Sequence, residues 1–354
     1  MAYTFQETLT LIAALKKEFP VPTFLRGRYC PDGMIFDTTR VMLQFKEGDR
    51  RLAPAVSVRK GSVPVDRSRF DAMILEPPHF GVHRTTTLDD LEIKGFAEAL
   101  YQNLTIEQRK RALALLDAQE LREFIMRREE WLVARMMQDN EITLTEIIDD
   151  KQTGNEVHIS YYPGEVSNPA VFSPLTSWDN PTANILADIG AAVSERKRQG
   201  LATTDVLMAP GIAGYLLENE QITKMRDKNF DSTLARIDPR ALPNEATYFG
   251  TLRTPDGDIL DFLTYFAQYE DEDGKIVDFM DEGKIVLCAP KTATMNWGAV
   301  KQKDEAGNWR TYRAKYVPRN TQTVDEDADK ARLVSRPVPC PVQKNAFTSA
   351  TVLF

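Results

Sequence analysis

The clearest periodic signal in the chain lies between residues 105 and 140. Leu113, Leu121, Ile125, Leu132 and Met136 return to one face of a helix. Thr105 and Gln108 have capping-box spacing, Glu107 with Arg111 and Glu123 with Arg127 are i,i+4 pairs in the favourable order, and no Pro or Gly interrupts the run. At the helical rise per residue, such an element spans roughly 50 Å. That length suits a structural spine better than an ordinary core helix.

The pattern before the spine is different. Residues 5–19 read as a helix opened by Thr4 with Glu7 and stopped by Pro20 and Pro22. The stretch PTFLRGRYCPDGMIFDTTRV that follows is irregular and aromatic-rich, and reads as an arm laid across something else. Val41, Leu43 and Phe45 then alternate with period two, Gly48 marks a turn, and RFDAMILEPP makes a second extended run. Residues 40–78 therefore predict a long hairpin with basic, polar flanks and little core of its own.

After the spine, EITLTEII and EVHISYYP predict a hairpin with Gly154 and Asn155 supplying its turn. Asn180 and Pro181 suit the start of a helix running to about residue 199, with Arg196, Lys197 and Arg198 in its last turn and Gly200 just beyond. TDVLMAP reads as a buried strand, and GIAGYLLENEQITKMRD as one or two short helices. From residue 245 the pattern is mostly β: ATYFGTLR, DILDFLTYFAQY, KIVDFMD and GKIVLCAP, separated by turns at PDG, EDEDG and DEG. The last fifty residues read as polar and Pro-rich, closing on a strand-like SATVLF. The class is mixed α+β.

Composition narrows the function. At 354 residues, 42% hydrophobic and 27% charged, the chain can build two or three packed sub-domains. No window approaches the run of apolar residues that a membrane span needs. Glu7 interrupts what would be the apolar segment of a secretory signal. Cys30, Cys288 and Cys340 are odd in number and scattered, which predicts buried thiols in a reducing cytoplasm and no zinc site. The net charge of −8 argues against a dedicated nucleic-acid binder, though not against a protein that encloses DNA.

No phosphate-binding loop, dinucleotide fingerprint, zinc-protease motif or serine elbow occurs. His79 and His83 flank Gly81 after two prolines, so no helix aligns them as ligands; with His158 they read as surface histidines. The run Glu270, Asp271, Glu272, Asp273, Gly274 lacks the later Glu of a calcium loop and reads as an acidic turn. Trp131, Trp178, Trp297 and Trp309 are too scattered for a ligand cage, and read as packing or interface anchors. No catalytic, cofactor-binding or metal residue is nominated.

Charge distribution is the exception. Residues 45–70 hold Lys46, Arg50, Arg51, Arg59, Lys60, Arg67 and Arg69 against three acids, a net +4; residues 256–284 hold ten acids against two bases, a net −8. The extended segment is therefore a candidate intersubunit interface through Arg50, Arg51, Arg59, Lys60, Arg67 and Arg69. Glu270, Asp271, Glu272, Asp273, Asp281 and Glu282 form the candidate acidic counter-surface. Exposed pairs steer and orient more than they hold.

An ordered set of segments resembles the lambda-type major capsid proteins, the phage major capsid protein E family. PTFLRGRY leading into FDTTRVMLQFKEGDRRLAPAVSV looks like that family's arm and extended loop, and GSVPVDRSRFDAMILEPP like the return strand. ELREFIMRREEWLVARMMQDNEITL looks like its spine helix running into a hairpin, and VSRPVPCPVQKNAFTSATV like its C-terminal strands. Asp139 and Asn140 stand where relatives often carry Gly, a left-handed position that Asn tolerates.

The resemblance implies an α+β tailed-phage major capsid fold of the Hong Kong 97 type. Its parts would be an N-terminal arm (1–38), an extended loop (39–92) and a peripheral domain with the spine helix (93–177). An axial domain (178–300) and a return to the peripheral domain (301–354) would follow. It implies hexamers and pentamers closing an icosahedral head around double-stranded DNA, with no sequence-specific DNA contact. The implied partners are copies of itself, a portal, a separate scaffolding protein and a possible decoration protein. A separate scaffold is expected because the first helix begins near residue 5. The residues leave two alternatives open: another ring or tail protein of a phage, or an oligomeric hydrolase with a non-standard site.

Overall fold

The computed structural model describes residues 20–46, 52, 70–92, 105–149, 152–161, 172–228, 235–303, 307–323 and 328–354. The helix expected over 5–19 and all six basic loop residues, Arg50, Arg51, Arg59, Lys60, Arg67 and Arg69, lie outside the described residues.

The spine is a 34-residue helix, Ile106–Asp139. The Thr105 hydroxyl accepts from Gln108 N, and the Gln108 side chain accepts from Thr105 N, so the expected capping box is present. Asn140 ends the helix in the left-handed conformation (φ 52°) and turns the chain directly into the hairpin. That hairpin pairs Glu141–Asp149 with Gln152–Ser160. Gly154 and Asn155 lie within its second strand rather than at the turn; the register is irregular between Thr145 and Asp149, opposite that end of the strand.

The helix crosses two cores. Leu132, Val133, Met136 and Met137 join the main core, while Leu121 and Ile125 pack with Leu333, Val82 and Tyr316 in a satellite. Beneath the satellite lies an antiparallel sheet of Val317–Thr323, Ala328–Ser335 and Phe80–Thr86. The first two-thirds of the spine leaves Ile106, Leu115, Leu116 and Phe124 exposed.

The main core is organised by a six-stranded sheet in the order Thr348–Thr351, Lys284–Cys288, Asp205–Met208, Ile259–Tyr265, Ala246–Arg253, Ala235–Ala241. Only the Asp205–Met208 pairing with Ile259–Tyr265 is parallel. Helix Ile185–Gln199 packs on this core through Ile185, Leu186, Ile189 and Val193 and stops at Gly200 (φ 83°). It starts at Asn184, not Asn180. The Asn180 carboxamide oxygen instead accepts from Thr182 N and Oγ1 and stabilises a separate turn. Arg196 is buried and donates to Thr203, Ala202, Ala346 and Thr348, tying the helix to the C-terminal segment.

One segment departs from the sequence expectation. The stretch expected to be an irregular arm contains helix Phe24–Tyr29, with Phe24, Leu25 and Tyr29 buried in its own chain's core. It continues as strand Asp32–Ile35, parallel to Ala293–Trp297. The Pro-rich tail is largely β. Pro337–Pro341 is a fully buried strand on the outer side of Ala293–Trp297, an edge position where a missing N–H breaks no ladder.

Candidate assembly surfaces

The extended segment leaves the core from a fixed base. Strands Val41–Lys46 and Phe70–Leu75 pair from Val41↔Leu75 to Lys46↔Phe70 and, among the described residues, join no third strand. Val41 and Leu75 are buried at the base, and Leu43 and Met73 pack partly on the core. On the opposite face, Met42 and Ile74 form an exposed cross-strand pair. The pivot is tight. Arg336 donates to Pro77 O, Ala299 N donates to Thr38 O, and a Cβ on Gly298 would sit 3.1 Å from Pro77 Cγ. A two-stranded ribbon is marginal in water unless something packs on it.

The acidic counter-surface divides into two kinds of residue. Glu270 ends strand Gln268–Glu270, Asp271, Glu272 and Asp273 form the turn, and strand Ile276–Asp278 returns. Gly274 takes the left-handed turn position (φ 74°). Glu272 pairs with Arg128 on the spine at 3.2 Å. Asp281 receives a bidentate contact from Arg135 (2.9 and 3.1 Å) and a second from Lys284 (2.8 Å), which also holds Asp139 (2.7 Å). Partial burial pushes the Asp281 carboxyl up, but Lys284 and Arg135 outweigh it and hold the group below the usual carboxylate range. Glu272 and Asp281 are thus already neutralised within the chain. Glu270, Asp271, Asp273 and Glu282 are exposed.

Between the spine's two cores lies a layer of buried charge that the sequence reading missed. Glu130 is fully buried and accepts from Leu25 N (2.7 Å), Arg26 N (2.9 Å) and Tyr265 OH (2.8 Å). Thr23 makes no side-chain cap, so this spine carboxylate satisfies the orphan N–H groups opening helix Phe24–Tyr29. Glu129 takes Arg26 at 2.8 Å, Trp297 Nε1 at 3.2 Å and Tyr316 OH at 3.3 Å. Burial raises both carboxyls, against the lowering effect of Arg26 and the hydrogen-bond donors. A signal was available: Glu129 interrupts the i,i+4 series Leu121, Ile125, Val133, Met137.

Chemistry finds little foothold. A cleft of about 320 Å³ is lined by Thr23, Arg26, Gly27, Cys30, Asp32 and Asn244, but Arg26 is already paired with Glu129 and Asp32. Burial pushes the Cys30 thiol well up, away from the thiolate a nucleophile needs. Burial, with Arg332 and Arg336, lowers His79; His158 sits 3.1 Å from Glu141. Among the described residues no His, Cys, Asp and Glu group is placed to hold a metal, and no helix is long and apolar enough to cross a membrane. Of the four tryptophans, Trp178 and Trp297 are buried, Trp131 bonds Tyr269, and Trp309 is 72% exposed.

Comparison with known proteins bears on the fold and the family. No curated protein matches the chain. The putative capsid protein of an Escherichia coli CFT073 prophage shares the fold at TM-score 0.61 and 16% identity, over 94% of this chain and 93% of its own. A phage-related protein from Bordetella bronchiseptica RB50 gives TM-score 0.48 at 7% identity, over 94% and 93% of the two chains. The mature capsid of bacteriophage PhiM1 gives TM-score 0.48 at 10% identity, over 96% and 90%. The fold is the α+β tailed-phage capsid fold of the Hong Kong 97 type. The model of the family described as phage major capsid protein E matches residues 7–352, so the chain belongs to that family and is a structural protein of the phage head.

Proposed function

We propose that this major capsid protein forms hexamers and pentamers that close into an icosahedral head around double-stranded DNA, and that it catalyses no reaction. Assembly takes place in the host cytoplasm with a separate scaffolding protein and a portal; a decoration protein is a possible later addition. DNA is enclosed without sequence-specific contact. The peripheral domain is built on the spine helix, with residues 178–300 as the axial domain.

The observation that carries this reading is the hairpin Val41–Lys46 with Phe70–Leu75. It is planted in the core at one end and, among the described residues, pairs with no third strand. Its continuation carries Arg50, Arg51, Arg59, Lys60, Arg67 and Arg69. In this reading these cations grip an adjacent copy. Contacts between two different patches close into rings or sheets when the rotation allows. Of the acidic counter-surface, Asp271, Asp273 and Glu282 are the residues best able to receive them, because Glu272 and Asp281 hold cations of their own chain.

Electron microscopy of the expressed protein with and without its scaffold tests the reading. Shells with five-fold vertices are expected; tubes or small rings would favour a tail or adaptor protein. Reversing Arg50, Arg51, Arg59 and Lys60 to Glu should cut shell yield while the subunit stays folded by circular dichroism. Normal yield from that variant would remove the electrostatic grip.

A further inference from the structure

Away from the extended loop, the chain carries two short antiparallel ribbons of opposite charge and similar construction. In the first, Val300–Lys303 pairs with Trp309–Tyr312 so that Lys301 faces Thr311 and Lys303 faces Trp309. Val300 and Gln302 point into the protein and are buried, whereas Lys301, Lys303, Trp309 and Thr311 make one wholly exposed face. Lys303 Nζ lies 5.5 Å from the Trp309 ring centroid, and that indole is 72% exposed. In the second, Gln268–Glu270 pairs with Ile276–Asp278 so that Glu270 faces Ile276 and Gln268 faces Asp278. Tyr269 turns inward onto Phe279 and Trp131, and Ile276 is left 74% exposed among Glu270, Asp278 and the acidic turn.

Each ribbon therefore sets one large exposed apolar side chain on a strand face of like charges, Lys301 and Lys303 on the first and Glu270 and Asp278 on the second, although Asp304 and Glu305 follow Lys303 and the exposed Lys275 precedes Ile276. We infer that the exposed face Lys301, Lys303, Trp309 of one subunit docks on the face Glu270, Ile276, Asp278 of a second copy. Exposed Trp is the residue type most enriched in interface centres, where surrounding polar groups exclude water from it. Opposed charges fix the register of the two ribbons and disfavour like-with-like pairing. The contact joins two different patches, so it repeats head to tail and closes into a ring where the rotation between subunits allows. Two ribbons of this size fall well short of the ~800 Å² per partner of a self-sufficient interface, so the contact adds to a larger one. The inference rests on the shell reading and divides its acidic surface. The outward ribbon face goes to the cationic ribbon, and the turn acids with Glu282 remain for the extended loop.

Disulfide trapping in assembled particles tests it. Trp309→Cys and Ile276→Cys, both at exposed positions, are combined in one chain whose native thiols are all buried. Oxidation of shells should give a ladder of covalent dimers, trimers and higher species, absent from either single variant. Lys301→Glu with Lys303→Glu should lower shell yield about tenfold, and adding Glu270→Lys with Asp278→Lys should restore it, since a tenfold change needs only the sum of a few surface pairs. If the double-cysteine chain forms shells and gives no ladder, the inference fails while the shell reading stands. If no wild-type shells form with scaffold present, the shell reading itself fails. If the lysine variants assemble normally but retain less DNA, the cationic ribbon faces nucleic acid and the subunit contact is refuted.

Discussion

Removing the Glu130 carboxylate should unlock the N-terminal segment from the spine. In Glu130→Ala, three donors in a dry site lose their acceptor at once: Leu25 N, Arg26 N and the Tyr265 hydroxyl. Each buried donor left unpaired costs about 1–3 kcal/mol. The loss is offset in part because the ionised carboxylate was itself costly to bury. The expected net destabilisation is about 3–5 kcal/mol, typical of breaking one side of a buried charged contact and a large share of a domain's stability. Glu130→Gln keeps one acceptor oxygen but turns an amide N–H₂ toward a backbone donor, and should cost about 1–2 kcal/mol.

The pH dependence separates charge from shape. Burial raises the Glu130 carboxyl in the folded state, against the lowering by Arg26 N, Tyr265 OH and Leu25 N. A folded value above the unfolded one means that the group's contribution is fully present below the unfolded carboxylate range and fades as pH rises through the folded value. Gln does not titrate. The stability gap between wild type and Glu130→Gln should therefore be widest in acid and narrow toward neutrality. Urea unfolding of the unassembled subunit across pH measures the gap, and hydrogen exchange at the Leu25 and Arg26 amides locates it. A Glu130→Ala subunit within about 0.5 kcal/mol of wild type, or a gap that widens toward neutral pH, would refute the reasoning.

Three further outcomes are expected. Asp281→Asn should cost about 1 kcal/mol or less, since the Arg135 and Lys284 contacts are part-exposed. Because Asp281 is held below its usual range, partial burial being outweighed by Lys284 and Arg135, the effect should be present at neutral pH and vanish as pH falls through the folded value, which thermal melts at the two pH values check. Gly283→Ala should destabilise by about 1–2 kcal/mol, because φ is +71° and the new Cβ would sit 3.0 Å from Leu353 Cβ. Gly27→Ala, inside helix Phe24–Tyr29 with nothing within 4 Å of its Cβ, should instead stabilise by up to about 1 kcal/mol in the same denaturation assay.

What the sequence disclosed was what local chemistry decides. The spine, its capping box, the left-handed Asn140 and the turns at Gly257, Gly274 and Gly283 depend on residues a few positions apart. What stayed hidden depends on partners far along the chain. Helix Phe24–Tyr29 has six residues, a central Gly and no local cap, so nothing nearby announces it; its cap is a carboxylate 105 positions away. Pro337–Pro341 shows no strand pattern of its own, because Pro is judged by the hydrogen bond it cannot make; only the family resemblance implied a strand there, and the sheet order shows that this edge needs no such bond. Asp281 counted as one of ten acids in a strongly acidic stretch, yet Arg135 and Lys284 remove it from the free surface.

The same distinction explains why Glu129 and Glu130 sit where they do. Leu, Ile and Met contacts along the spine tolerate a shift of the helix, because one apolar neighbour is much like another. Two buried carboxylates do not: any slide along the axis would separate Glu130 from the Leu25 and Arg26 amides and Glu129 from Arg26, Trp297 and Tyr316, leaving charge unpaired in a dry site. They lie between the main core at Leu132–Met137 and the satellite at Leu121 and Ile125, where one register must serve both. A long helix that serves two cores and runs directly into the hairpin Glu141–Ser160 depends on that register. The Glu130→Gln subunit therefore bears on assembly as well: a folded subunit with loosened arm amides should build less regular shells than its modest loss of stability alone would produce.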